Sequence, residues 1–285
     1  MLSCALLVLA MIVRHTVGWP IVNGKAAPNP DQFRFAVSLQ RHAQRTDGKL
    51  KHFCGGTYIG RGWILTANHC VVGFETSSIF AQIGGQSLNN VSEHATVYKI
   101  DEKIIYPDYN RVTLAGDIAL LRVAEAEGAK YHDRSLPVAA ANSNHSALNL
   151  LSGREHYEAT SGQWESEECH IFGYGSSSYN GAGHSTLQYG PVRWLDHRSC
   201  VRMLGPVVAP VAPNRGMFCA IGLADACKGD SGGGLVCRQK IANKLTPYTL
   251  RGIISYGAGC GVPASPGVYT DVGYYRVWLD RFISM

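Results

Sequence analysis

Near its C-terminal end the chain places a hydroxyl among glycines, in Gly229-Asp230-Ser231-Gly232-Gly233, with a second aspartate, Asp225, six positions before the serine. A serine hydroxyl is a poor nucleophile until a neighbouring base takes its proton during attack. The chemistry on offer is acyl transfer, and it requires a histidine as base and a group that orients the histidine.

Gly229, Ser231 and Gly233 also satisfy the G-x-S-x-G turn of α/β-hydrolases, which place their histidine after the serine. No histidine follows Ser231, so that order fails and the base must come from upstream. Of eleven histidines, His69 in Leu65-Thr66-Ala67-Asn68-His69-Cys70 stands out, because it ends an apolar strand and sits beside a cysteine. A surface-loop histidine is the plainer reading. Asp117 opens the apolar run Ile118-Ala119-Leu120-Leu121, where a charge is costly to bury without a partner. Read singly it is equally a turn aspartate. The order His69, Asp117, Ser231 turns three weak signals into one strong one.

The elements that would position these residues are short strands. Of 285 residues, 46% are hydrophobic and only 16% charged, and 32 glycines punctuate short apolar runs. Six such runs precede residue 130: 33–42, 52–60, 62–67, 79–85, 96–106 and 118–124. Six more follow: 169–175, 187–195, 217–222, 233–239, 248–257 and 267–272. Two β units joined near residues 125 to 140 are the natural partition. Tyr275, Trp278, Leu279, Phe282 and Ile283 recur at helical spacing and predict a terminal helix over about 273–285 that packs on the body. Residues 141–168 read as a long polar loop.

The first 18 residues have the apolar core and small final residue of a secretory signal, and a signal anchor is the competing reading. With Cys4 removed, eight cysteines remain, an even number suited to an oxidising compartment, although 105 connectivities are open. Asn90 and Asn144 open glycosylation sequons. A net charge of +5 is too small and scattered for nucleic-acid binding, and no spacing suggests a zinc cluster. No cofactor or metal is expected.

These motifs, together with Ile21-Val22-Asn23-Gly24, Phe53-Cys54-Gly55-Gly56 and Pro266-Gly267-Val268-Tyr269, make the chain similar to trypsin/chymotrypsin-type serine endopeptidases from Ile21 onward. The resemblance implies an all-β fold of two six-stranded antiparallel β-barrels with a C-terminal α-helix. The first barrel would cover about 21–130 and the second about 131–272. It implies a triad of His69, Asp117 and Ser231, with an oxyanion hole from the N–H groups of Gly229 and Ser231. It pairs Cys54 with Cys70, Cys169 with Cys237, Cys200 with Cys219, and Cys227 with Cys260. Asp225 would form the base of the specificity pocket and Gly257 and Gly267 its walls, selecting Arg or Lys before the cut bond, while Ser255 to Gly257 pair with substrate backbone. Lys228 would stand at the pocket mouth and favour acidic residues near the cut. Partners would be protein or peptide substrates and protein inhibitors, the chain being a secreted monomer without stable membrane insertion.

The sequence departs from the family pattern at Asn68, Gly234, Tyr174 and Tyr256, none of which removes a catalytic group. A larger departure precedes Ile21, whose new amino terminus would pair with Asp230 after cleavage in this family. The preceding residue is Pro20, so tryptic activation would not release Ile21, and Trp19-Pro20 resembles a dipeptide prosegment for a proline-specific dipeptidase. The residues expected to bind calcium in some relatives lack an acidic pair in 83–100. A catalytically silent homologue that binds a partner is the alternative function.

Overall fold

The computed structural model describes residues 21–29, 32–43, 48–89, 96–124, 167–178, 181–210 and 216–283. The expected leader 1–18, Trp19-Pro20, Asn90, Asn144 and residues 141–166 of the expected loop lie outside the described residues.

Six strands close the first barrel: β2 (Ala36–His42), β3 (Leu50–Gly60), β4 (Trp63–Thr66), β5 (Phe80–Ile83), β6 (Thr96–Ile105) and β7 (Ala119–Val123). They are hydrogen-bonded in the order β2-β3-β4-β7-β6-β5, with β5 returning to β2, so no edge is left open. The second barrel closes through β8 (Glu167–Gly173), β9 (Gln188–Leu195), β10 (Met217–Gly222), β14 (Gly267–Asp271), β13 (Thr249–Gly257) and β11 (Gly234–Ile241), which pairs back onto β8. All pairs are antiparallel, and two short strands extend this sheet: β1 (Lys25–Ala26) on β9 and β12 (Lys244–Leu245) on β11. The two barrels and a terminal helix are the architecture that the resemblance implies.

The sequence runs mark these strands to within a few residues, with differences at their ends. Glu167 and Glu168, read as loop, begin β8, because the pairing of Cys169 with Cys237 carries the ladder on to Glu168 and Arg238. Helix α2 (His197–Leu204) was not expected; Asp196 caps it by accepting the Ser199 N–H at 2.9 Å, and Gly205 ends it at φ 78°. His69 lies not on a strand end but in the one-turn helix α1 (Asn68–Val71). The terminal helix α3 spans Arg276–Ile283 and buries Trp278, Leu279 and Ile283.

One apolar cluster runs through both barrels. Phe33 and Phe35, just before β2, meet Phe172 of β8 at 5.4 Å between ring centres, and Phe33 stacks on Tyr248 at 5.5 Å. Helix α3 joins this cluster, and Tyr275 just before it reaches the loop before β7: the Gly116 N–H donates to Tyr275 Oη at 3.1 Å, and a side chain at Gly116 would strike the Tyr106 ring at 2.7 Å. Among the described residues no helix is long and apolar enough to cross a membrane.

Tyr275→Phe keeps the packing but leaves the Gly116 N–H buried without its acceptor. Denaturant unfolding is expected to register a loss of about 1–2 kcal/mol.

Candidate active site

Asp117 is fully buried at the head of β7. Its Oδ1 accepts the His69 backbone N–H at 2.8 Å, and its Oδ2 accepts His69 Nδ1–H at 2.7 Å and Ser255 Oγ–H at 2.5 Å. The donors come from both barrels, because Ser255 lies on β13. Ser255 is the extra residue of a β-bulge: Ile254 pairs with Tyr269 and Tyr256 with Val268, leaving Ser255 unpaired and aimed at the carboxylate. Thr270 on β14 adds a bond to the Asp117 carbonyl at 2.9 Å. With Nδ1 engaged by the carboxylate, the His69 tautomer leaves Nε2 as the acceptor, and the side chain remains 28% exposed to the cleft.

Ser231 sits in the turn between Cys227 and β11. The Cys54–Cys70 bridge, within the first barrel, packs at this junction, with Cys70 Sγ 3.7 Å from His69 Nε2 and 3.5 Å from the Ser231 carbonyl oxygen. Gly55 N–H donates to that oxygen at 2.7 Å, and a side chain on Gly55 would meet the Gly233 nitrogen at 2.8 Å. No hydrogen bond joins Ser231 Oγ to His69 Nε2, and catalytic bonds of this kind tighten in the complex with substrate. Among the described residues, neither the Gly229 nor the Ser231 N–H has a hydrogen-bond partner within the chain.

Gly229 adopts φ 98°, in the left-handed region that a side chain disfavours. Its carbonyl is held by His52, a residue that the sequence did not single out. His52 Nε2 lies 2.9 Å from Gly229 O, and Nδ1 lies 2.8 Å from the Oγ of buried Ser38. Ser38 also accepts from Gln40 Nε2 at 3.1 Å, so its own hydroxyl hydrogen is free for Nδ1, which leaves the His52 proton on Nε2. Burial pushes His52 down from 6.5 to about 4.

Beside Ser231 opens a cavity of about 260 Å³, lined by Asp225, Lys228, Ser255, Gly257 and Gly267 among others. Asp225 accepts the Gly261 N–H at 2.7 Å, and burial raises its pKa against the opposing pull of the Gly261 and Ala226 N–H groups. A side chain at Gly257 would meet nothing of the chain nearer than 3.7 Å, so the space that this glycine leaves belongs to the cavity. Gly267 is tighter, 3.0 Å from Tyr269 Oη. Tyr256 donates its hydroxyl to the Val208 carbonyl at 3.0 Å. Lys228 is exposed at the rim.

Ile21 is fully buried among Ile171, Val192, Ala224 and Leu235, and Val22 bridges to Asp225. Asp230 is also fully buried, between Gly173 and Gly175, where any side chain would overlap its carboxylate. It accepts only the Gly175 N–H at 2.8 Å and the Cys227 N–H at 2.9 Å among the described residues, and burial raises its pKa from 3.8 to about 7. The remaining bridges join Cys169 to Cys237, Cys200 to Cys219 and Cys227 to Cys260, the pairs that the resemblance implies. The groups spaced for a metal among the described residues, Cys54–His69–Cys70 and Glu167–Cys169–Cys237, each contain a disulfide, whose sulfurs are not thiolates.

A family model described as Trypsin matches residues 21–279. The chain is 32% identical to coagulation factor XII of Bos taurus over 236 residues, 80% of this chain and 36% of that protein. Coagulation factor XII of Sus scrofa is 32% identical over 241 residues, 81% of this chain and 36% of its own. Trypsin Blo t 3 of Blomia tropicalis is 34% identical over 264 residues, 91% of this chain and 84% of its own. The chain therefore spans about a third of the two factor XII relatives and most of the Blomia tropicalis one.

His52 makes a pH prediction. Its folded pKa lies below the unfolded value, so the stability it contributes is complete above pH 6.5 and is lost as pH falls towards about 4. His52→Gln, which can still donate to Gly229, is expected to remove that share of the slope when unfolding temperature is followed from pH 7 to 4.

Proposed function

Because the chain belongs to the trypsin family of serine proteases, we propose that it is an active, secreted endopeptidase that cuts after Arg or Lys. The observation that carries this reading is the buried Asp117 carboxylate holding His69 through Nδ1, with Nε2 left as acceptor in the cleft that contains Ser231. In the reaction Ser231 Oγ attacks the substrate carbonyl while His69 Nε2 takes its proton, and Asp117 stabilises the imidazolium. The carbonyl oxygen becomes an oxyanion that accepts from the Gly229 and Ser231 N–H groups. The tetrahedral intermediate expels the amine, which leaves with the proton from His69. Water, deprotonated by His69, then attacks the Ser231 ester; Ser231 Oγ leaves, taking the proton back from His69, and the new carboxylate is released. A long cation fits the cavity above Asp225, where a partly buried carboxylate rewards a charge-assisted hydrogen bond.

Activation follows from Asp230. A buried carboxylate with two N–H donors and, among the described residues, no cation is costly to ionise. An ammonium at Ile21, created when Trp19-Pro20 is removed by a proline-specific dipeptidase, would supply the cation and lock the turn that carries Gly229 and Ser231. Secretion agrees with the four disulfides and the apolar leader, with Asn90 and Asn144 as glycan sites. Lys228 at the rim would favour acidic residues near the cut.

Chain made to begin at Ile21 is expected to hydrolyse small Arg and Lys substrates and to turn over Phe and Val analogues at least about 100-fold more slowly, with Ser231→Ala reducing kcat by about 10⁶-fold. No turnover from a folded, bridged chain would favour the silent binding homologue instead.

A second expectation concerns Asp230. Its raised pKa makes chain that still carries Trp19-Pro20 lose stability as pH rises from about 4 to about 7. Asp230→Asn is expected to stabilise that form at pH 8 and to destabilise the form beginning at Ile21, both read as shifts in unfolding temperature.

A further inference from the structure

We propose that Lys103 is a positioning residue for His69: its ammonium holds the C-terminal end of helix α1 on the strand beside β7, so that the imidazole keeps its place against Asp117 through the reaction. This rests on the protease reading above and adds a residue that neither touches the substrate nor belongs to the triad.

Helix α1 cannot hold itself. It is the single turn Asn68–Val71, and its N-cap residue, Ala67, makes no side-chain cap. A turn this short has no cooperative stability of its own, so its shape comes from what surrounds it. On its N-terminal side Asp117 accepts the His69 backbone N–H and Nδ1–H. In the middle the Cys54–Cys70 bridge ties it to β3. At the C-terminal end the Lys103 ammonium donates to the Val71 carbonyl at 3.1 Å and to the Phe74 carbonyl at 2.5 Å. The Val71 carbonyl also accepts the Phe74 N–H at 3.1 Å, so Lys103 closes the turn that follows the helix as well. A cation there meets both the carbonyls that a helix end leaves over and the negative end of its peptide dipoles.

The strand register makes these anchors act together. Lys103 lies on β6 opposite Leu121, and Ile105 lies opposite Ala119, two residues after Asp117. The acid and the ammonium therefore belong to one two-stranded ladder and grip opposite ends of the same turn. Without the Lys103 end, the turn can tilt about the Asp117 contact, and a small tilt at the His69 backbone swings Nε2 relative to the Ser231 hydroxyl. Proton transfer is sensitive to displacements on this scale. Because the Lys103 donors are spent on main-chain carbonyls, the residue acts through the position of His69 and not on the substrate.

The test compares chain beginning at Ile21 with its Lys103→Met, Lys103→Gln and Lys103→Arg variants on a small Arg amide. Titration with a small amidine that fills the Asp225 cavity counts the folded molecules, so kcat is expressed per competent site and measured well below each unfolding temperature. Lys103→Met keeps the length of the stem and removes both donors. It is expected to lower kcat about tenfold, the cost of a displacement of roughly half an ångström, with KM and amidine affinity within twofold of the unaltered chain. Lys103→Arg, which can still donate to both carbonyls, is expected to keep at least about a third of kcat. Where Lys103→Met does not fold, Lys103→Gln decides the matter: a neutral donor reaching one carbonyl is expected to lower kcat about threefold, again at constant KM. A lower unfolding temperature with kcat per folded molecule unchanged overturns the proposal, as does a rise in KM or a loss of amidine affinity that accounts for the whole effect. An equal fall in Lys103→Arg and Lys103→Met overturns it too. Absence of turnover by the unaltered chain would instead overturn the protease reading, and this role with it.

Discussion

The arrangement turns on one buried charge. Moving a carboxylate out of water costs far more than any single hydrogen bond returns, so Asp117 can be ionised at its fully buried site only if donors are fixed around it beforehand. Those donors come from α1 of the first barrel and β13 of the second, and the bulge at Ser255 exists where a regular ladder would point that hydroxyl elsewhere. Docking the two barrels and orienting His69 are therefore one event. The aromatic cluster around Phe33, Phe35 and Phe172 supplies the apolar area that holds the barrels together, and Asp117 sets their register.

A second buried carboxylate, Asp230, is handled in the opposite way. Asp117 meets a histidine and a hydroxyl, whereas Asp230 meets two backbone N–H groups in a slot kept narrow by Gly173 and Gly175. Burial raises its pKa to about 7, since the two N–H groups offset only part of the desolvation. Under the proposed activation, a new amino terminus at Ile21 would supply the remaining charge. Between the two acids, His52 and Ser38 brace the Gly229 carbonyl from the first barrel, so the turn that presents Ser231 is held from both sides.

Much of this was legible in the sequence, for reasons that differ by element. The strands are short apolar runs ended by Gly, Pro or Asn, and such punctuation is local, so their positions could be read directly. His69, Asp117 and Ser231 emerged from their order and not from any one environment. His52 did not, because its importance depends on strand register: β2 and β3 bring it to Ser38 and the turn brings Gly229 to it, and nothing local separates it from the other histidines. Helix α2 was missed although Asp196 and Gly205 are ordinary cap residues, because it is only two turns long and its apolar face is limited to Cys200, Val201 and Leu204. The two-residue strands β1 and β12 carry no periodicity at all and exist only through their partners β9 and β11.

The central claim is that Asp117 works by holding His69 in the tautomer that accepts the Ser231 proton. The most direct test is Asp117→Asn in chain beginning at Ile21, measuring kcat/KM for a small Arg substrate at pH 7 alongside the affinity of a small amidine that fills the Asp225 cavity. The account predicts a fall in kcat/KM of about 10⁴-fold, the magnitude expected when a triad of this kind loses its carboxylate, with amidine affinity retained. Activity within tenfold of the unaltered chain, with the amidine still bound, would contradict it.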